Sequence, residues 1–449
     1  MSTTTKQHPK VEIAVKNFGP IREADIELRP LTVFVGENNT GKTHLSRLIY
    51  ALHGVFDGFR RHEHIDPFDY VIEPKIELSL NSIIANELKR NFNLESVSAL
   101  RRDTGERYHD ATLGIKTSEK RKVSTQEGAW EEFHDIWSME ARINDTELVF
   151  DQATHADRVA IAGVQAVEEN WPVTHHLHYL PAHRGGIMQN YRVVVSSLIK
   201  RTTRLNAEHA AGFATMSGVM SDFMQRIMLY KENTKPNDVL RDIAEALESD
   251  VLAGEIRVHP SPSGYPDFYY HPQGMRSEMC LSQASSMVSE LAPLVLFIRG
   301  FVAPGDTLII EEPEAQLSPE AQVEIVSTLG RLVRAGVRVV VTTHSDWVLK
   351  QIGNLIRAGL ITEKGEVCDR SGKAERWLLP DEVGVWQFHT SGVWQFHTSD
   401  EPVEFIPFTN PLGVTSDVHD QAMLDTYNRA AGLHNRLVGL CEEEEDAGS

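Results

Sequence analysis

The chain reads as an α/β protein built on a parallel sheet, and three observations predict it. Leu31-Thr-Val-Phe-Val35 is a continuous β-prone run that opens into a glycine-containing loop, followed by a helical pattern from His44 to Leu52. Past Asp306 the order becomes strand, helix, strand, helix, over Thr307–Ile310, Pro319–Ala335, Val337–Thr343 and Asp346–Ala358. Composition allows a large core, with 41% hydrophobic and 24% charged residues in 449.

Along the chain, apolar and polar residues alternate from Val11 to Leu31, which predicts two half-buried strands joined at the turn Asn17-Phe-Gly-Pro20. Residues 55 to 180 are weakly periodic. Lys75–Leu80 is strand-like there, and Trp130–Arg142 is helix-like. Arg192–Glu232 is mainly helical in pattern. Its methionines, Met216, Met220, Met224 and Met228, recur every four residues, the spacing of a core-facing stripe. Asn237–Leu252 predicts another amphipathic helix, opened by Pro236-Asn-Asp238. Gly384–Ser391 recurs unchanged as Gly392–Ser399. This tandem copy predicts a tolerated duplication in a surface hairpin, or else an aromatic contact surface of Trp386, Phe388, Trp394 and Phe396. The division expected is an N-terminal lobe (1–55), a mixed, partly helical insert (56–270), a C-terminal lobe (271–440) and an acidic tail (441–449).

Forty-four Lys and Arg stand against 64 Asp and Glu, a net charge of −20. That excludes attraction to nucleic acid or an anionic membrane by bulk charge, but not a local basic patch. One such stretch exists: Trp171 to Ala207 holds no acidic residue and carries Arg184, Arg192, Lys200, Arg201 and Arg204. A nucleic-acid groove over Arg192, Lys200, Arg201 and Arg204, an acidic protein partner, or a solvated face are its three readings. Within His175-His-Leu-His178, alternate strand positions have the spacing of a metal pair but lack a third ligand. Three cysteines without CxxC spacing fit a reducing compartment. The polar N-terminus, and an apolar run (Leu291 to Ala303) cut by Arg299, predict a soluble, cytoplasmic protein with no membrane span.

Gly36-Glu-Asn-Asn-Thr-Gly-Lys-Thr43 matches G-x-x-x-x-G-K-[ST] between a strand and a helix. Glycines let backbone N–H groups curl around phosphate oxygens, and the new helix offers its unpaired N–H groups to the same anion. The phosphate-binding set expected is Gly36, Asn38, Asn39, Thr40, Gly41, Lys42, Thr43 and His44, with Lys42 as point charge and the Thr43 hydroxyl on Mg²⁺. Leu308-Ile-Ile-Glu311-Glu312 puts two carboxylates at a strand end. Glu311 is expected on the metal, Glu312 as base for an attacking water, and Glu314 as a structural acid. Thirty-two residues past Glu312, another strand ends at His344, placed to hydrogen-bond the γ-phosphate or the lytic water.

Together these elements resemble the ABC/SMC-like ATPase head, as in RecF, the SMC proteins and the OLD-type ATPases of the AAA family. Val15 to Ala24 and Pro30 to Thr43 resemble its N-terminal lobe. Glu311 to Pro319 is similar to its Walker B and D-loop, and Thr342-Thr-His-Ser345 to its switch histidine. Tyr179-Leu-Pro-Ala-His-Arg184 resembles a segment of small prokaryotic members. The resemblance implies an α/β ABC-type P-loop ATPase head that binds ATP and Mg²⁺. It also implies a homo-oligomer, in which a signature motif of one head caps ATP on the other. Leu281 to Ser289 stands in the signature's place and gives the capping role to Ser286, with Ser285 as alternative, although Met287 and Val288 replace the usual glycines. Similar small ATPases of Septu and PARIS type act in phage defence beside a separate effector. The resemblance therefore implies an effector partner, with DNA repair of RecF kind, or an ATP-regulated nuclease, as alternatives.

Overall fold

The computed structural model describes residues 10–61, 75–105, 107–124, 130–145, 147–154, 176–191, 193, 216–232, 237–261, 264–363, 377–389 and 403–405. Strands β1 (Lys10–Phe18) and β2 (Ile21–Leu28) form the expected hairpin, with Asn17 and Gly19 at positive φ in the turn. β3 (Leu31–Gly36) is buried throughout and runs through the glycine loop into α1 (Lys42–Arg61). Next come α2 (Lys75–Phe92), the short pair β4 (Arg102–Asp103) and β5 (Tyr108–His109), and the long strands β6 (Ala111–Ser124), β7 (Trp130–Ile143) and β8 (Leu148–Thr154). β9 (Leu177–Leu180) leads into the six-residue helix α3 (Arg184–Gln189). Helices α4 (Gly218–Met228) and α5 (Asp238–Leu247) precede a small antiparallel sheet of β10 (Gly254–Pro260), β11 (Pro266–Pro272) and β12 (Met279–Cys280). The C-terminal part is α6 (Ser286–Gly300), β13 (Thr307–Glu311), α7 (Pro319–Arg334), β14 (Arg338–Thr343), α8 (Asp346–Glu363), β15 (Val383–Phe388) and β16 (Val403–Phe405).

Two sheets organise these elements. The central one has the order β16-β15-β3-β14-β13-β9 and is parallel except for β16. Its strands alternate between two cores. Val33, Val35, Leu308, Ile310, Val339 and Val341 join a cluster with the helices α4 to α8. Phe34, Ile309, Val340 and Tyr179 face the other way, onto α1, α2 and the second sheet. A sheet covered on both faces needs near-continuous apolar strands, which is why β3, β13 and β14 are legible as runs and not as alternations. The second sheet, order β2-β1-β6-β7-β8, is antiparallel. The span expected as a separate insert, 56–270, thus supplies β6, β7 and β8 to one sheet and β9 to the other.

Three local expectations are corrected. Lys75–Leu80 is the first part of α2 and not a strand. Six alternating residues are too few to fix a period, and the pattern runs on to Ile84 and Leu88, buried four apart. Trp130–Arg142 is strand β7 and not a helix. Its apolar residues at 130, 133, 136 and 137 imitate helical spacing, but β6 and β8 pair it on both edges. The first copy of the octapeptide is no surface hairpin. It forms β15, parallel to β3, with Val383, Val385 and Phe388 buried and Phe388 edge-on to Phe34. Trp394 and Phe396 of the second copy lie outside the described residues.

The helical expectations hold at both places described. In α4, Val219, Phe223, Met224 and Ile227 are buried, and Met220 and Met228 pack on the same core, while Met216, ahead of the helix, is exposed. Asn237 caps α5, its side chain accepting from the Val239 and Leu240 N–H groups.

Candidate functional site

The loop after β3 takes its shape from three residues at positive φ, Gly36 (+141°), Asn39 (+63°) and Gly41 (+106°). The glycines answer crowding as well as dihedral. A Cβ on Gly36 would lie 2.2 Å from the Phe388 carbonyl oxygen, and one on Gly41 2.4 Å from Ile21. Thr40 is buried and its hydroxyl donates to the Glu37 carbonyl, 2.9 Å, closing the turn. Asn38 and Asn39 are exposed at its tip. Lys42, on the first turn of α1, is 5% exposed and donates to the carbonyls of Gly36 (2.7 Å) and Glu37 (2.5 Å). Burial pulls its ammonium down to about 8, opposed by the nearby charges of Glu312, Glu314 and Glu37.

The His44 side chain turns away from the loop. Its ring packs against Phe18 and Phe92, with centroids 6.5 and 5.5 Å away, and burial pulls it down to about 4, so it is neutral at pH 7. One residue along α1 from Thr43 the helix has turned towards the other core, and only the His44 backbone N–H is left for a phosphate.

At the end of β13 the two adjacent acids do different things. Glu311 is 2% exposed. It accepts from the Tyr179 hydroxyl and, at 2.8 Å, from the Ala182 N–H, with the Arg47 guanidinium 3.8 Å away. Tyr179 in turn meets the Ser46 hydroxyl at 2.9 Å, one turn along α1 from Thr43. Glu312 is half exposed and its backbone stands at φ +44°, a left-handed conformation that costs about 1–3 kcal/mol in a residue other than glycine. Its N–H donates to the Thr342 carbonyl, 2.9 Å, on β14. Its carboxylate lies 3.6 Å from His344 Nε2, and the His344 contact holds it below the usual carboxylate range. Glu314 is structural. One oxygen accepts from the Thr343 hydroxyl (2.6 Å) and the His344 N–H (2.8 Å), which fixes the end of β14 against that of β13.

Residues 270 and 32 positions apart in sequence thus converge: Lys42, Glu312 and His344 share one corner at the C-terminal ends of β3, β13 and β14, the usual place for a ligand in an open α/β sheet. These residues fit a nucleoside triphosphate. A buried ammonium whose partners are two neutral carbonyls wants an anion, and the glycine-dependent turn directs N–H groups at the same place. The Thr43 hydroxyl and Glu311 are hard oxygen donors of the kind Mg²⁺ takes together with phosphates, and a carboxylate accepting two hydrogen bonds still has lone pairs for a metal-bound water. Among the described residues no cluster of three His, Cys, Asp or Glu could hold a metal unaided.

Ser285 and Ser286 are exposed at the start of α6. Ser285 is the N-cap, its hydroxyl accepting from the Val288 N–H at 3.3 Å. Arg184, counted above with the basic stretch, is 1% exposed and no part of a surface. Arg192, Lys200, Arg201, Arg204 and His175 lie outside the described residues. His178 is spoken for: Arg226 donates to its Nδ1 (2.7 Å), so its Nε2–H donates to Asp306 (3.0 Å). Among the described residues no helix is long and apolar enough to cross a membrane. Sequence reading missed Tyr179, Ala182, Arg184 and Glu290 as working parts of this site. The one signal was the Tyr-Leu-Pro-Ala-His-Arg segment, quoted for its resemblance alone.

Residues 116–350 match the family described as "AAA domain, putative AbiEii toxin, Type IV TA system", and residues 11–149 match "AAA ATPase domain". No curated protein matches. Among solved structures, the chain is similar to an Smc head bound to the C-winged helix domain of ScpA (11% identity, TM-score 0.45, covering 92% of this chain and 100% of that one). It is also similar to an Smc head domain with an extended coiled coil bound to the C-terminal domain of ScpA, derived from Pyrococcus furiosus (12%, 0.44, 94% and 100%). An SMC head domain from Thermotoga maritima is a third (14%, 0.33, 77% and 92%). The first family match spans more than half of the chain, whose fold is mixed α/β, so the protein belongs to that AAA-domain family.

Proposed function

We propose that this protein binds and hydrolyses ATP, and that two copies close on ATP as a clamp that controls a partner effector protein. The observation that carries the reading is the Glu312–His344 pair at 3.6 Å beside Lys42. Gly36 to Thr43 hold the phosphates. Thr43, with Glu311 behind it, holds Mg²⁺, which when bound neutralises charge on the phosphates. Glu312 is kept ionised by His344 and takes the proton of the attacking water; His344 hydrogen-bonds the γ-phosphate or that water. Ser286, or Ser285, caps the nucleotide of the other head, because both are exposed at a helix N-terminus that can meet an anion. The family description names a toxin–antitoxin system, a setting with a second component, and it supports a role beside an effector in anti-phage defence.

The test is phosphate release by the wild type and by Glu312→Gln, with Lys42→Ala as control. Glu312→Gln is expected to bind ATP normally and to lose about 10²–10⁴-fold in rate, the usual worth of a positioned base. Lys42→Ala is expected to lose binding. Hydrolysis by Glu312→Gln at the wild-type rate contradicts the assignment.

A further inference from the structure

A buried guanidinium must place all of its donors, and those of Arg184 are distributed in a telling way. Nε donates to the Glu290 carbonyl (3.1 Å), and Nη2 lies 3.2 Å from a Glu290 carboxylate oxygen. Nη1 donates to the carbonyls of Glu311 (2.7 Å) and Pro181 (3.3 Å), and Nη2 also to that of Glu312 (3.4 Å). One side chain thus grips the backbone of both acids at the end of β13 and the first turns of α6. Other contacts fasten α3 to α6. The Gly185 N–H donates to Glu290 (3.0 Å), where a Cβ would collide at 2.5 Å. Gln189 donates to Ser289 (3.3 Å), and Ser289 to the Leu281 carbonyl (3.2 Å) at the start of the signature segment. Glu312 has a strained backbone, held by Thr342 on its N–H side. On its carbonyl side the holder is Arg184.

We infer that Arg184 is a positioning residue that couples the seat of α6 to the orientation of Glu312. Engagement of the Ser285/Ser286 end of α6 by the nucleotide of a second head then sets the base for hydrolysis. This rests on the two-head reading above. A shift of α6 carries Glu290, and with it the guanidinium and the two carbonyls.

The experiment uses full-length Arg184→Lys, Arg184→Gln and Glu290→Gln. It measures kcat and KM, affinity for a fluorescent ATP analogue, and rate per head against protein concentration. Neither residue touches the phosphate loop, so affinity is expected within about twofold of wild type. kcat is expected to fall about 10–100-fold in both Arg184 variants, the effect of a small misplacement of a catalytic group. Lysine brings one point charge where a fork is needed, so it does not rescue. Glu290→Gln keeps size and shape and carries the test should the Arg184 variants fail to fold; its kcat is expected to fall with KM unchanged. Wild-type kcat in Arg184→Lys and Glu290→Gln, or losses of kcat only in step with lost ATP affinity, would overturn the inference. A wild-type rate per head that does not depend on protein concentration removes the two-head reading itself. A fall in kcat would then leave only a hold on Glu312 and overturn the coupling.

Discussion

Lys42 is a charge buried ahead of its ligand. Its ammonium is pulled from 10.5 to about 8 by burial, so between those values the unfolded chain binds more protons than the folded one. Without ligand, stability therefore rises with pH from about 8 to 10.5. A triphosphate reverses the preference, since it attracts the protonated form. ATP affinity is expected to be level below pH 8 and to fall about tenfold per unit above it, as measured by titration from pH 7 to 9.5. An affinity level across that range contradicts the assigned role. Gly36 makes a second prediction. Ala there would meet a backbone oxygen, which cannot move aside as a side chain can, at a φ that alanine resists. Gly36→Ala is expected to cost about 2–4 kcal/mol in urea unfolding. Gly186→Ala, with nothing near its Cβ, is expected to be neutral or slightly stabilising.

β15 turns the duplicated octapeptide into an element-scale question. The first copy fills an interior strand whose last residue abuts the phosphate loop at Gly36. Removing either copy leaves the same chain, with Val383 through Phe388 intact. The deletion shortens the connection from β15 to β16 by eight residues and leaves about six, an ordinary loop length. The thermal midpoint is expected within about 2 °C of wild type; a drop of more than about 5 °C would mean that both copies serve the fold. The same scale shows why some of the site was legible in sequence and some was not. Gly36 to Thr43, Glu312 and His344 each end a buried strand, so local pattern and spacing reveal them. Arg184 and Glu290 are 106 residues apart, and Tyr179 and Glu311 132 apart, and nothing local marks either pair. Trp130–Arg142 was misread because its period is ambiguous until β6 and β8 are seen on either side.

At the scale of the molecule, the central sheet divides two cores and gathers the C-terminal ends of β3, β13 and β14 at one corner. The signature end of α6 is exposed, while the residues behind it, Ser289 and Glu290, are buried and wired to β13. In the proposed clamp, that exposed end of α6 would meet the nucleotide of a second copy, and the buried contacts behind it would connect it to β13. The central claim is that ATP brings two heads together. Its most direct test is the light-scattering mass of the Glu312→Gln protein with and without Mg·ATP, since that change retains ATP unhydrolysed. The account predicts one copy without nucleotide and two with it. One copy under both conditions would contradict it.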